Sequence, residues 1–278
     1  MTALLGLFAT SVAAGTLGAI LGLGGGILLV PTLTLFFGVD LRHAMGASII
    51  SVIATSSGAA SAYLRTGLCN LRIGLFLVLA TVSGALAGAA LAGHVPTQGL
   101  ELVLGLALAY SAVSAARLLA VEAPPATLVD PLAVRFSLEG HYVDARLGRE
   151  VTYRAVRVRQ GFAAMFGAGV LSGLLGIGSG AFKVLAMDTF MRLPMKVSTA
   201  TSNFMIGLTA AASAGVYFGR GDIHPIIATP VALGVLVGSY GGTRLIARLR
   251  NATVRKLFLP IVVYLAISML LRGLGVLK

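Results

Sequence analysis

The sequence predicts an all-α integral membrane protein made of two inverted repeats. Each repeat is a glycine-broken pair of re-entrant or short helices followed by three transmembrane helices. Three observations predict this. First, the 278-residue chain is 57% hydrophobic and 11% charged, with a mean hydropathy of +0.96, whereas a soluble domain carries roughly 25% charged residues. Second, uncharged runs at 1–39, 44–64, 73–100, 102–116, 160–182, 197–219, 223–243 and 257–271 include several that reach the ~20 residues a spanning helix needs. Third, a shift of 154 positions lays the first half on the second without gaps. Gly15, Leu17, Leu21, Gly22, Gly24, Gly26 and Val30 match Gly169, Leu171, Leu175, Gly176, Gly178, Gly180 and Val184. The register continues through Phe36/Phe190, Ser48/Ser202, Thr55/Thr209, Tyr63/Tyr217, Gly67/Gly221, Gly84/Gly238 and Gly88/Gly242. Internal repeats in a membrane protein point to a transporter with its site at the repeat interface.

The first repeat, residues 1–120, opens with an apolar stretch, about 3–38, interrupted by Gly22-Leu23-Gly24-Gly25-Gly26. Three glycines in succession undo a helix, and unpaired backbone at membrane depth is tolerated only where protein buries it or a wet cavity meets it. Helices at about 43–65, 71–93 and 99–119 follow. Residues 121–158 form a polar linker that opens with Pro124-Pro125. Its segments from Phe136 and Glu150 alternate apolar and polar residues, with Gly140 and Gly148 as turn residues, which predicts a small β-hairpin. The second repeat, 159–278, has its broken stretch at about 160–192 around Gly176-Ile177-Gly178-Ser179-Gly180, then helices at about 196–219, 224–247 and 254–273. Residues 1–20 lack a basic n-region and have an internal counterpart, so they are expected to be mature structure rather than a signal peptide.

Charge sets the orientation. The linker carries Arg135, Arg146, Arg149, Arg154 and Arg157, and residues 244–256 carry Arg244, Arg248, Arg250, Arg255 and Lys256. Both segments are therefore placed in the cytoplasm. They can share a side only if the broken stretch between them crosses an even number of times, as a hairpin or a pair of short helices rather than one kinked span. The two copies are then inverted and both termini lie outside. Because Lys and Arg cluster between apolar runs, the net charge of +12 needs no nucleic-acid partner. The lipid bilayer and a small anion are the expected partners, and a homo-oligomer is left open.

The single Cys69 excludes an intramolecular disulfide and makes no metal cluster, so no metal or cofactor is expected. There are no paired carboxylates and no catalytic triad, so an enzyme is not expected. Gly84/Gly88 and Gly234/Gly238 suit close helix packing. The two glycine pentads instead suit a site, because freed N–H groups at the start of a half-helix attract anions. Lys183 follows Gly180 by three residues; an ammonium at that depth costs roughly 2.5–3.5 kcal/mol or more, so it is expected to meet a bound anion, pair with Asp188 or snorkel toward the cytoplasm. Thr201, Ser202 and Asn203 open the next helix and offer hydrogen bonds without charge, with Ser48 as the counterpart of Ser202. The expected substrate-binding set is Gly24, Gly25, Gly26, Ser48, Gly178, Ser179, Gly180, Lys183, Thr201, Ser202 and Asn203. His43 and His224 are expected to be interfacial.

These residues carry a resemblance. Gly22-Leu-Gly-Gly-Gly, Gly176-Ile-Gly-Ser-Gly-Ala-Phe-Lys183-Val and Ala200-Thr-Ser-Asn-Phe-Met-Ile-Gly-Leu-Thr209-Ala resemble the TauE/SafE family of sulfite and organosulfonate exporters over nearly the whole chain. Ser179 stands where that family more often has a glycine. The resemblance implies an inner-membrane permease for a small sulfur-containing oxyanion, working by alternating access. Export of an anion would gain about 2.3 kcal/mol per charge per 100 mV of inside-negative potential. An anion channel of the same fold, and a membrane scaffold that docks a soluble protein through the basic linker, are the rival readings.

Overall fold

The computed structural model describes residues 2–21, 24–65, 67–117, 130–144, 149–246 and 251–277. The first half comprises α1 (Thr2–Leu21), α2 (Gly26–Phe37), α3 (Leu41–Arg65), α4 (Leu71–Ala92) and α5 (Thr97–Arg117). The linker holds a short helix α6 (Pro131–Arg135) and strands β1 (Glu139–Asp144) and β2 (Arg149–Arg154), paired antiparallel with Glu139 opposite Arg154. Then come α7 (Val158–Leu175), α8 (Gly180–Leu185), a π-helical turn (Ala186–Phe190), α9 (Met195–Gly219), α10 (Pro225–Ile246) and α11 (Asn251–Gly273). The chain is thus a helical membrane protein. Leu71–Ala92, Val158–Leu175 and Pro225–Gly242 are each long and apolar enough to cross a bilayer.

Helix pairing exchanges the halves. α1 packs on α10 and α4 on α7; α3 touches α10, α4 touches α9; α3 crosses α9 and α5 crosses α11. Small residues make the first two pairs close. A Cβ at Gly84 or Gly88 would stand 2.2 Å from Phe166 O or 2.1 Å from Val170 O, and one at Gly234 or Gly238 would stand 2.5 Å from Phe8 O or 2.1 Å from Val12 O. The packing role expected of these four glycines is therefore the one seen, with backbone lying directly on backbone. At the α5–α11 crossing, Arg272 pairs with Glu101 at 3.3 Å.

The break divides each stretch unequally. α7 has 18 residues, about 27 Å of helix, whereas α8 has six and runs into the five-residue π turn. The expected pair of half-helices is therefore seen as a longer helix and a shorter return on either side of the glycines.

The linker is fastened to the helices rather than draped over them. The Asp130 carboxylate accepts from Leu132 N at 2.9 Å and from Val158 N at 2.8 Å, so one side chain caps α6 and ties down the start of α7. Asn70, at the head of α4, donates from its amide to Glu139 O at 3.1 Å and to the Tyr153 hydroxyl at 3.0 Å. The contact with Tyr153 corrects the expectation for Gly140. It is not a turn residue but lies within β1 opposite Tyr153, where a Cβ would stand 2.6 Å from the Tyr153 hydroxyl and 2.9 Å from Asn70 Nδ2. Gly148, the other expected turn residue, lies outside the described residues.

At the end of α4 away from Asn70, Arg42 donates to Ala92 O and Val95 O, both at 3.0 Å, and Arg220 donates to Ala89 O. Cations belong at a helix C-terminus, where carbonyls are left over. Arg220 also pairs with Asp222 at 2.6 Å and lies over the Tyr217 ring, which neutralises a basic residue on the side expected to face outward.

Candidate functional site

Both breaks bend through backbone that favours glycine. Gly24 and Gly25 have φ of 79° and 71°, and Gly176 and Gly178 have 65° and 74°. Gly22 and Leu23 of the first pentad lie outside the described residues. The breaks meet between α3 and α9. A Cβ on Gly24 would be 3.3 Å from Ile206 Cγ2, and one on Gly178 would be 2.9 Å from Val52 Cγ1 and 3.1 Å from Ile206 Cγ2. Val52 and Ile206 are matched by the 154-residue shift, and each is the twelfth residue of a 25-residue helix. Gly26 touches the other break directly, since its Cβ would stand 3.0 Å from Ile177 O.

The matched serines play matched parts. Ser48 Oγ donates to Gly26 O at 3.4 Å, and Ser202 Oγ donates to Gly180 O at 3.3 Å. Each hydroxyl ties α3 or α9 to the first residue of the returning helix, and its lone pairs remain available. Thr201 is turned elsewhere. Its hydroxyl accepts from Asn70 N at 3.1 Å and donates to the Cys69 sulfur, so it fastens the loop ahead of α4. Burial pushes the Cys69 thiol above its ordinary value, and the bond to Thr201 works against that.

Ser179 stands apart. It occupies the place matched to Gly25 and takes a left-handed φ of 45°, which costs a non-glycine residue about 1–2 kcal/mol. It is buried, and its hydroxyl has no protein partner. Asn203 is buried beside Ser202. Its amide nitrogen donates to Thr199 O at 3.0 Å, which fixes the orientation of the amide, and its Oδ1 is left without a partner. The open atom of Asn203 is thus an acceptor, where a donor was expected.

Lys183 is fully buried in α8. Its Nζ donates to Thr209 Oγ1 on α9 at 2.9 Å; Thr209 Oγ1 lies 2.7 Å from Met205 O and 3.1 Å from Thr81 Oγ1 on α4. No carboxylate pairs with Lys183 among the described residues. Thr209 was visible in the sequence as the match of Thr55. Thr81 carried no signal, because its counterpart is Val235. The equivalent of Lys183 in the first half is Leu29, so the halves differ chemically at this point alone among the residues of the site that bear charge.

All the polar members, Ser48, Ser179, Lys183, Ser202 and Asn203, are buried. The arrangement is a buried cluster of polar side chains with two uncommitted side-chain atoms and one amine, set where two helix breaks converge.

The chain matches the family described as sulfite exporter TauE/SafE over residues 7–269. It is 26% identical over 268 residues to the probable membrane transporter protein YunE of Bacillus subtilis, covering 94% of this chain and 95% of that protein. It is similar to the probable membrane transporter protein YdhB of the same organism, 26% identical over 81% of this chain and 82% of the other. A third relative is the probable membrane transporter protein ORF9 of a Sinorhizobium species, 25% identical over 97% of this chain and 91% of that one. No solved structure matches the chain.

Proposed function

Because the chain belongs to the sulfite exporter TauE/SafE family, we propose that it carries a small sulfur-containing oxyanion, such as sulfite or an organosulfonate, across the cytoplasmic membrane. The observation that carries this reading is Ser179. A serine held in glycine's conformation, buried, with its hydroxyl unmatched, incurs two costs that nothing in the protein offsets. An oxyanion that accepts from that hydroxyl and from Lys183 offsets both. Ser48, Ser202 and the glycine backbones at Gly24–Gly26 and Gly178–Gly180 shape the walls. Asn203 Oδ1 receives a proton-bearing group of the ligand, such as the hydroxyl of hydrogensulfite or the ammonium of an aminosulfonate.

Alternating access follows from the pairing of the halves. The repeats are inverted, with the linker cytoplasmic and both termini outside. The breaks lie at the midpoints of α3 and α9, and so near the bilayer midplane. The buried site is the occluded state. Rocking about the α3–α9 crossing, with the α1–α10 and α4–α7 pairs moving as units, opens it to each side in turn.

Ser179→Gly tests this. It removes the hydroxyl and relieves the backbone, so the protein should unfold no earlier than wild type. Binding should weaken by about 1.5–3 kcal/mol, the worth of a hydrogen bond to a charged group, which is roughly ten- to a hundredfold. Thermal stabilisation by sulfite, thiosulfate and methanesulfonate reads the affinity, and counterflow of labelled anion in proteoliposomes reads transport. Equal binding by the variant would overturn the site.

A further inference from the structure

We propose that Lys183 is a proton-binding residue whose protonation is linked to anion binding, so that each oxyanion moves together with a proton. This rests on the anion site proposed above. An ammonium has three N–H groups and no lone pair. Lys183 finds one acceptor, the neutral hydroxyl of Thr209, and that hydroxyl is itself within bonding distance of Met205 O and Thr81. A charged lysine here would have two unmatched donors and no counter-charge in a place sealed from water, a combination that proteins avoid. A neutral amine donating to Thr209 has no such deficit.

Among the described residues no carboxylate pairs with Lys183 to supply the missing charge. On the elements packed around α8, namely α5, α7, α9 and the π turn, and on α4, which brings in Thr81, the described residues that face Lys183 are uncharged. Glu101 on α5 is held by Arg272. Asp188, on the π turn, makes no ion pair with Lys183, whose Nζ is bonded to Thr209 instead. The counter-charge must therefore arrive with the ligand. An oxyanion accepts the two spare N–H groups and balances the charge, so it stabilises the protonated form, and by linkage the proton stabilises the bound anion. The empty site is neutral and the loaded site carries anion plus proton. For a monoanion the cycle is electroneutral, and the membrane potential does not drive it. The first half cannot share this role, because the matched residue is Leu29.

The test measures protons taken up when purified, weakly buffered protein binds methanesulfonate or thiosulfate. Neither anion titrates near neutral pH, so any proton taken up belongs to the protein. Wild type should take up about one proton per anion bound at mildly alkaline pH, with affinity falling as pH rises. Lys183→Met should fold, since Leu29 fills the same place in the first half, and at saturating anion it should take up none. Lys183→Arg, always charged, should also take up none, and its flux should respond to an imposed potential. Wild-type binding without proton uptake, or uptake that persists in either variant, overturns the linkage and leaves the anion site standing. If neither anion nor sulfite stabilises the wild type, the site itself is wrong, and the linkage falls with it.

Discussion

The same substitution, glycine to alanine, should have opposite effects at Gly26 and Gly167. Both lie within helices and neither has a positive φ, so alanine suits either backbone. At Gly167 a Cβ meets nothing within 4 Å, and the gain is the helix preference of alanine over glycine, about 0.5–1 kcal/mol. At Gly26 a Cβ would stand 2.6 Å from Val52 Cγ2, 2.7 Å from Ser48 Oγ and 3.0 Å from Ile177 O. Val52 is wedged against Ile206. Ser48 can turn away only by giving up its bond to Gly26 O. Ile177 O is backbone between two glycines and moves only with the second break. Overpacking and the lost hydrogen bond together cost about 2–4 kcal/mol, a fall in unfolding midpoint on the order of 5–10 °C for a chain of this size. Parallel thermal unfolding of the two variants in detergent, with anion binding on the same samples, reads both signs. If Gly26→Ala unfolds with wild type and binds anion equally well, the two breaks do not meet at Gly26 and the convergence argument fails.

Two further outcomes are expected. In a Cys69→Ser background, Ser137→Cys, an exposed position in the linker, should resist an impermeant thiol reagent in intact cells and react after permeabilisation; labelling from outside would reverse the topology and the inversion with it. In the wild type, Cys69 should alkylate slowly at neutral pH: the thiolate is the reactive form, burial raises the thiol's pKa above its ordinary value, and the rate should climb only as pH passes that value. Rapid neutral alkylation would contradict the half-buried setting of Cys69.

Much of the architecture was legible because it is local. A run of glycines breaks a helix wherever it stands, so both breaks and the starts of α2 and α8 follow from Gly24–Gly26 and Gly178–Gly180. The alternation from Glu150 sufficed for β2, whereas the segment from Phe136 meets β1 only at Glu139 and Gly140. The matched pair Ser48/Ser202 makes matched hydrogen bonds to Gly26 O and Gly180 O. Position in the sequence could not tell which polar atoms would be spent. Thr201 and Asn203 are two residues apart, yet one is tied to Asn70 and the other holds an open acceptor.

The sequence by itself determined that the chain is a helical membrane protein with a glycine break in each half, because hydrophobic run length and glycine content act over a few neighbouring positions. The tertiary structure alone decided the partners. Lys183 meets Thr209 across 26 residues, and Thr209 meets Thr81 across 128. His43 and His224 come edge-on with ring centres 5.8 Å apart, although they belong to different halves. Gly26 touches Ile177. Such contacts are set by which helices abut and at what depth, and that is chosen by the whole set of backbone-to-backbone seams formed by the glycines of α1, α4, α7 and α10, not by any one stretch of chain.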